Sequence, residues 1–466
     1  MKKQKVTFSG LMCGVCFALF FFAFMLTEAF INERCAVILG SDAVNTVYAF
    51  GLVCTGLGFL SFAMFRKICK TEKGRKAVLL SVGVLCLVAA VVLLMAERPV
   101  VFLSGAISAL LLIGHIGGCV YYNTAMYFAE SRYTGRIIGI SMGTAIVLQF
   151  VVQNLTPESV SFAVSIYLSV AFVMYFILWA PKDWILENPL PYSSVGRKDY
   201  KPTVAMIVAV VLMSLVVGMI DSVLTSFNAQ KAYDVYSGVR LFYAVGLILA
   251  GLIADIGKRK YLPVATVCTI LLSTVCMFFL SEEISYFAGT ALMYLYSGFY
   301  VMFFTVMFLD FAPKSKCPEL WAGMGRIVRS FTVAVTILPA FKIYDIAGNI
   351  ALAVISCLVS ICILLVLLPY IGRAVTDSEQ SESVSGQMDM SPQERLKLYA
   401  QHCALTPRET EVLEMLLTTE KDLQEIADKL YISRRMVQRY VSSIYEKTET
   451  KTRIGLFKSY MDFTSD

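Results

Sequence analysis

The stretch Gly251-Leu-Ile-Ala-Asp255-Ile-Gly257-Lys258-Arg259-Lys260 closes one apolar run and, through a short basic turn, leads into the next. The end of this stretch has an earlier echo, Gly74-Arg75-Lys76, 183 residues upstream. Likewise Gly135-Arg136-Ile137-Ile138 returns as Gly325-Arg326-Ile327-Val328, 190 residues on. The first pair lies between apolar runs and the second opens one, each at a matching place in its half. The chain therefore reads as two similar halves in series, each a structural unit.

The composition around this stretch says what the units are. Of 466 residues, 58% are hydrophobic and 16% charged, with a mean hydropathy of +0.70 and a net charge of +6. Soluble proteins carry about 25% charged residues, and a soluble core this apolar would leave large patches in water. Collagen, coiled-coil, disordered and disulfide-framework classes are excluded, and most of the chain belongs in lipid. Apolar runs fall at about 8–31, 44–65, 77–96, 100–122, 137–153, 159–180, 202–225, 241–256, 262–280, 284–310, 321–345 and 350–372. Each is near the ~20 residues that cross the hydrocarbon layer. Loop 181–201 divides six from six. The first run follows Lys2, Lys3 and Lys5 as a signal peptide would, but it lacks a small-x-small cleavage site and fits the series.

Charge orients the spans. One set of loops holds 22 basic residues, in groups such as Arg66–Lys76, Lys258–Lys260 and Lys314–Arg326, and the other holds five: Arg34, Arg98, Lys231, Arg240 and Lys342. The positive-inside rule puts both termini in the cytoplasm, as an even number of spans requires. Most of the 13 cysteines lie inside apolar runs and read as small hydrophobes; Cys13-Gly-Val-Cys16 reads as helix packing. With two histidines, His115 and His402, a His-rich metal site is excluded, and no cofactor signature is present.

With this topology, Gly251–Lys260 resembles the loop motif of the major facilitator superfamily, G-x-x-x-D-x-x-G-R-K. It is one residue short between Asp255 and Gly257, and the first-half copy keeps only Gly-Arg-Lys. The resemblance covers about residues 8–372. It implies two parallel six-helix repeats, loops that latch the halves, and a central cavity lined by spans 1, 4, 7 and 10. Ionisable groups at membrane depth usually face a cavity. Glu28, His115 and Asp221 stand at such depth; His115 shares a face with Ser104, Ser108 and Tyr122, Asp221 with Ser214, Gly218 and Thr225. In span 10, Tyr286, Thr290, Tyr294 and Ser297 share another. The expectation is a cavity lined by Glu28, His115, Asp221, Tyr294 and Ser297, suited to a cationic or aromatic small molecule. The alternative has Glu28 and Asp221 snorkelling at the outer interface.

Composition changes after Arg373. Residues 373–390 are polar, Ser-rich and acidic and read as a flexible linker between a membrane domain, 1–372, and a small domain, 391–466. Capping boxes Ser391-Pro-Gln-Glu394, Thr406-Pro-Arg-Glu409 and Asp422-Leu-Gln-Glu425 each open a helix, Ser433 caps another, and a last helix runs from about Thr452 to Met461. The fold class is all-α: a twelve-span helical bundle plus a cytoplasmic four-helix helix-turn-helix domain behind a short leading helix. Charge in the small domain is polarised, with a net −4 over 403–432 and a net +5 over 433–458. Its third helix and the residues C-terminal to that helix are the part that can approach phosphate.

Leu405-Thr-Pro-Arg-Glu409-Thr-Glu-Val-Leu413, Glu425-Ile-Ala-Asp-Lys-Leu430-Tyr-Ile-Ser433, Val437-Gln-Arg-Tyr-Val441-Ser-Ser-Ile444-Tyr-Glu-Lys447 and Arg453 resemble the LuxR-type DNA-binding domain. The departures are Met436, Tyr440, Thr448 and the lack of a turn glycine around Thr418–Lys421. Gln438, Arg439 and Ser442 lie opposite Val437 and Val441 and can reach base edges, where the family also places its base contacts. Arg434, Arg435, Lys447 and Lys451 suit phosphate. In such domains the last helix pairs two copies, which implicates Ile454, Leu456 and Phe457; filling the domain's own core is the equal alternative. The partners implied are double-stranded DNA, the bilayer, a small-molecule ligand and a second copy on DNA.

The leading function is a one-component transcription regulator in a bacterial inner membrane that senses a small molecule through its transporter-like part. The rival is a small-molecule transporter whose tail regulates its own gene. Neither is an enzyme, since no nucleophile–base pair, phosphate-binding Gly loop or metal cluster is legible.

Overall fold

The computed structural model describes residues 8–129, 131, 133–155, 159–179, 201–232, 234–276, 283–388, 392–419 and 422–463. Lys2, Lys3, Lys5, Arg132, Ser391 and nearly all of loop 181–201 lie outside the described residues. Those described form helices and no strand, and the chain divides into two compact units, Met1–Gly372 and Arg373–Asp466.

In the first unit, α1 (Phe8–Ile38), α2 (Val44–Ile68), α3 (Glu72–Met95), α4 (Pro99–Tyr127), α5 (Thr134–Leu155) and α6 (Ser159–Trp179) fall on the first six apolar runs. Next come α7 (Lys201–Ala229), α8 (Leu241–Asp255), α9 (Tyr261–Cys276) and α10 (Glu283–Phe311). Then α11 (Met324–Met388) takes in the last two runs, with a kink at Gly348, whose φ of 72° is non-helical. Among the described residues, nine helical stretches are long and apolar enough to cross a bilayer. Two shorter apolar helices, Val164–Met174 and Tyr261–Thr274, accompany them. Over 373–388, where the sequence leads to the expectation of a flexible linker, the backbone continues α11; the side chains of 370–395 lie outside the described residues.

Exposure separates core helices from peripheral ones. Along α1, Cys13, Phe17, Phe21 and Phe24 are buried, and the helix is apolar all round, as an interior helix is. Along α3, Leu80, Val84, Val88 and Val91 are exposed at helical spacing, an apolar stripe suited to lipid. Close backbone approach replaces water exclusion as the glue, and glycine permits it. A Cβ on Gly139 of α5 would stand 2.9 Å from the Gly251 Cα of α8, and one on Gly58 of α2 would stand 2.8 Å from the Gly114 Cα of α4.

The Gly251–Lys260 stretch closes the α5–α8 crossing. Asp255, its side chain fully buried, accepts from the Gly135 and Arg136 backbone N–H at 2.8 and 3.0 Å. The Arg136 and Arg259 guanidinium groups complete its shell at 2.9 and 2.6 Å, and Arg259 reaches on to Asp310 at 2.7 Å. A carboxylate on the free N–H groups of a helix start meets both the orphan donors and the helix dipole. The Asp255 carboxylate is therefore fully paired although the motif is one residue short.

In the second unit, α12 (Pro392–His402) precedes α13 (Pro407–Thr418), α14 (Leu423–Lys429), α15 (Arg434–Lys447) and α16 (Arg453–Asp462). Its core comes from its own residues, among them Tyr399, Val412, Leu413, Ile426, Val437, Ile444 and Leu456. Two of the three expected capping boxes, Thr406/Glu409 and Asp422/Glu425, are formed, and the third, at Ser391, lies outside the described residues.

Candidate functional site

The nucleic-acid face is built from α15. Val437, Val441 and Ile444 point inward, which leaves Arg434, Arg435, Gln438, Arg439 and Ser442 exposed. With Lys451, none of these makes a side-chain hydrogen bond or ion pair with another described residue. Ser433 starts the helix by accepting from the Met436 N–H at 3.4 Å. The turn before it is a Schellman motif. Ile432 N–H bonds Ala427 C=O at 3.0 Å, Tyr431 N–H bonds Asp428 C=O at 3.4 Å, and Tyr431 takes φ 56° where glycine is usual. That geometry fixes the angle at which α15 leaves α14.

Lys447 is placed otherwise than the sequence suggests. Its ammonium donates to Glu409 at 2.7 Å and to the Ala404 carbonyl at 3.2 Å. Glu409 also accepts from Ser443 at 2.5 Å and from the Thr406 N–H at 2.7 Å. Burial works to raise the Glu409 pKa, yet hydrogen bonds from Lys447, Ser443 and Thr406 overcome it and hold the carboxyl at about 2. Lys447 thus ties the end of α15 to the start of α13. Arg453 is likewise structural: it donates to the carbonyls of Leu416 and Thr419 and closes the end of α13. Of the residues expected to pair two copies, Leu456 is fully buried in its own domain, while Ile454 is 84% exposed and Phe457 44%.

The membrane unit holds a cavity of about 380 Å³, within the size range of small-molecule sites. Glu28, Asp221, Tyr294 and Ser297 line it, as expected. His115 does not. The Gly58–Gly114 crossing draws that face of α4 against α2, and His115 Nδ1 meets the Ser61 hydroxyl at 2.8 Å between Phe62 and Phe65. The cavity wall comes instead from α1, α2, α7, the segment joining α7 to α8, α8, α10 and α11.

Two arginines complete the wall. Asp221 accepts from Tyr48 at 3.2 Å and faces Arg329 of α11 at 3.5 Å. Arg240, counted from sequence as a loop cation, is buried at 7% exposure. The rings of Tyr236, Tyr243 and Tyr294 stand 5.0, 5.9 and 5.6 Å from its guanidinium carbon. Arg66 and Arg326, also counted as loop cations, are buried against aromatic rings, Arg66 lying 4.4 Å over Tyr122. These three corrections remove two residues from the basic side and one from the other, so the charge bias stands. Arg329 lay within reach of sequence reasoning: it is an ionisable residue inside the run 321–345, the same criterion that singled out Asp221. Nothing local marks Arg240.

Residues 403–458 match the family described as "Bacterial regulatory proteins, luxR family", and the small unit is a LuxR-type helix-turn-helix domain. The Transcriptional regulatory protein DesR of Bacillus subtilis (strain 168) is 41% identical over 71 residues, which are 15% of this chain and 35% of that protein. The chain thus matches about a third of the length of this curated relative. The membrane unit has a major-facilitator-like transporter fold. It is similar to the crystal structure of the human organic anion transporter MFSD10 (TETRAN), with a TM-score of 0.55 at 15% identity. That match covers 77% of this chain and 97% of the transporter. The DNA-binding domain and the apolar helices together define a multi-pass membrane protein of transcription regulation.

Proposed function

We propose that this protein is a one-component regulator that spans a bacterial inner membrane twelve times, binds a small molecule in its transporter-like unit, and binds promoter DNA through α15. The observation that carries the reading is a set of side chains, Arg434, Arg435, Gln438, Arg439 and Ser442, all exposed and uncommitted, on the same chain as a ligand-sized cavity. The count of twelve is supported by the kink at Gly348, which divides a 46-residue apolar stretch, about 69 Å at ~1.5 Å per residue, into two lengths that each suit the bilayer. The charge bias of the loops supports cytoplasmic termini. A single small module buries only ~600–1,000 Å² on DNA, so a homodimer paired through Ile454 and Phe457 on two half-sites is part of the reading. Ligand binding acts by differential affinity for two states of the membrane unit and changes the spacing or release of the tethered domains.

The test is promoter binding by the full chain in nanodiscs, with and without Arg439→Ala. Salt-dependent binding to a palindromic site, lost in the variant, is expected. Absence of binding at low salt, or energised uptake abolished by Asp221→Asn in a chain that ignores DNA, would favour transport instead.

A further inference from the structure

Resting on the reading of the cavity as a ligand site, the geometry points to an anionic group on the ligand, a carboxylate carried by a flat apolar body, received by Arg240. A guanidinium has five N–H donors. Arg240 uses two: Nε donates to Gln149 Oε1 at 3.2 Å, and Nη1 to the Tyr294 hydroxyl at 3.4 Å. No carboxylate lies within 4 Å of it among the described residues, although it is 7% exposed and lines the cavity. Its direct contacts are neutral, Gln149 and three tyrosine rings, and Asp221 acts on it only from beyond 4 Å. Rings stabilise a cation through their faces but do not neutralise it. A buried charge is normally paired, and the open side of this one is the cavity.

Among the described residues three carboxylates line the cavity, Glu28, Glu33 and Asp221, and Glu28 acts on Tyr48 and Arg329 rather than contacting Arg240. Asp221 is held by Tyr48 and by Arg329, whose own Nε is buried without a hydrogen-bond partner. Glu33 is exposed and reaches Gln153 at 3.5 Å. Arg329 lies in the same wall, so a carboxylate entering the cavity meets the unused N–H groups of Arg240 and, beside them, a second guanidinium already partly held by Asp221. Planar, bidentate recognition is what arginine offers such a group, and the tyrosines give its apolar body ring faces to lie on.

The test measures the thermal midpoint of the full chain in nanodiscs, without DNA, against three probes sharing one phenyl body at 10 mM: 3-phenylpropionate, 3-phenylpropanol and 2-phenylethylamine. The propionate is expected to raise the midpoint by about 2–4 °C, with the alcohol and amine well below it. In Arg240→Gln that rise disappears, and in Arg240→Lys it is reduced, because the charge stays and the fork is lost. Should Arg240→Gln not fold, the wild-type series decides alone. A larger shift from the amine or the alcohol, or a propionate shift that survives Arg240→Gln, overturns the assignment while leaving a ligand cavity. A midpoint unmoved by all three overturns it together with the reading of the cavity as a ligand site.

Discussion

Replacing Glu409 by Gln should weaken the DNA-binding domain strongly and in a pH-dependent way. The carboxylate is 6% exposed and accepts from Lys447, Ser443 and the Thr406 N–H. These bonds hold its pKa at about 2, against an ordinary 4.5. At ~1.4 kcal/mol per unit, that difference corresponds to about 3 kcal/mol of folding stability at neutral pH. Lys447 is 32% exposed, so water screens part of the pairing and about 2 kcal/mol is the working figure. For a domain of this size, that is a fall in midpoint of roughly 10 °C. The domain's self-contained core lets the 391–466 fragment serve, with far-UV circular dichroism as the readout. A carboxyl whose folded pKa is depressed contributes fully above its unfolded pKa and loses that contribution as pH falls towards the folded value. The gap between wild type and Glu409→Gln should therefore be full at pH 7 and close between about pH 4.5 and pH 2. A gap under 2 °C at pH 7, or one that is the same at pH 3, would refute the argument that this carboxylate joins α13 to α15.

Other substitutions test separate parts of the structure. Tyr431→Gly and Glu449→Gly remove side chains from left-handed positions at φ 56° and 52°, so each should raise the fragment's midpoint by a few degrees, about 0.5–1 kcal/mol, in the same melts. Arg439→Ala should cost about 1–3 kcal/mol at one base-pair position in binding titrations. Arg434→Ala should weaken all sequences alike and reduce the salt slope by about one, whereas Lys447→Gln should lower stability and leave that slope nearly intact. Gly139→Val sets a Cβ 2.6 Å from the Leu247 carbonyl oxygen, a backbone atom that cannot yield. Overpacking of roughly 3 kcal/mol or more should abolish the monodisperse peak of the detergent-solubilised chain on size exclusion, whereas Gly238→Ala, with open space around it, should not.

What could be read from the chain alone was local. A span announces itself by some twenty successive apolar residues, and α2–α10 begin and end within about five residues of those runs, with α1 overrunning its own, because hydrocarbon must be matched by contiguous sequence. Capping boxes are equally local: Thr406 and Glu409, or Asp422 and Glu425, satisfy each other's backbone across three positions, and both formed as written. The inward stripe of Val437, Val441 and Ile444 follows from helical period alone, and so does the outward face opposite it. Partners distant in the chain were decided by packing. Lys447 has the same sequence signature as a phosphate-binding lysine, yet Glu409, 38 residues away, holds it. Leu456 and Ile454 are two positions apart on one helix, and only the packing of α16 buries the first and exposes the second. His115 had the periodicity of a cavity residue, but a glycine crossing turned its face to α2, and Arg240 passed for a loop cation until three tyrosines enclosed it. Backbone propensity and hydrophobic period act over a few residues, whereas a charge takes its role from whichever groups the folded chain sets beside it.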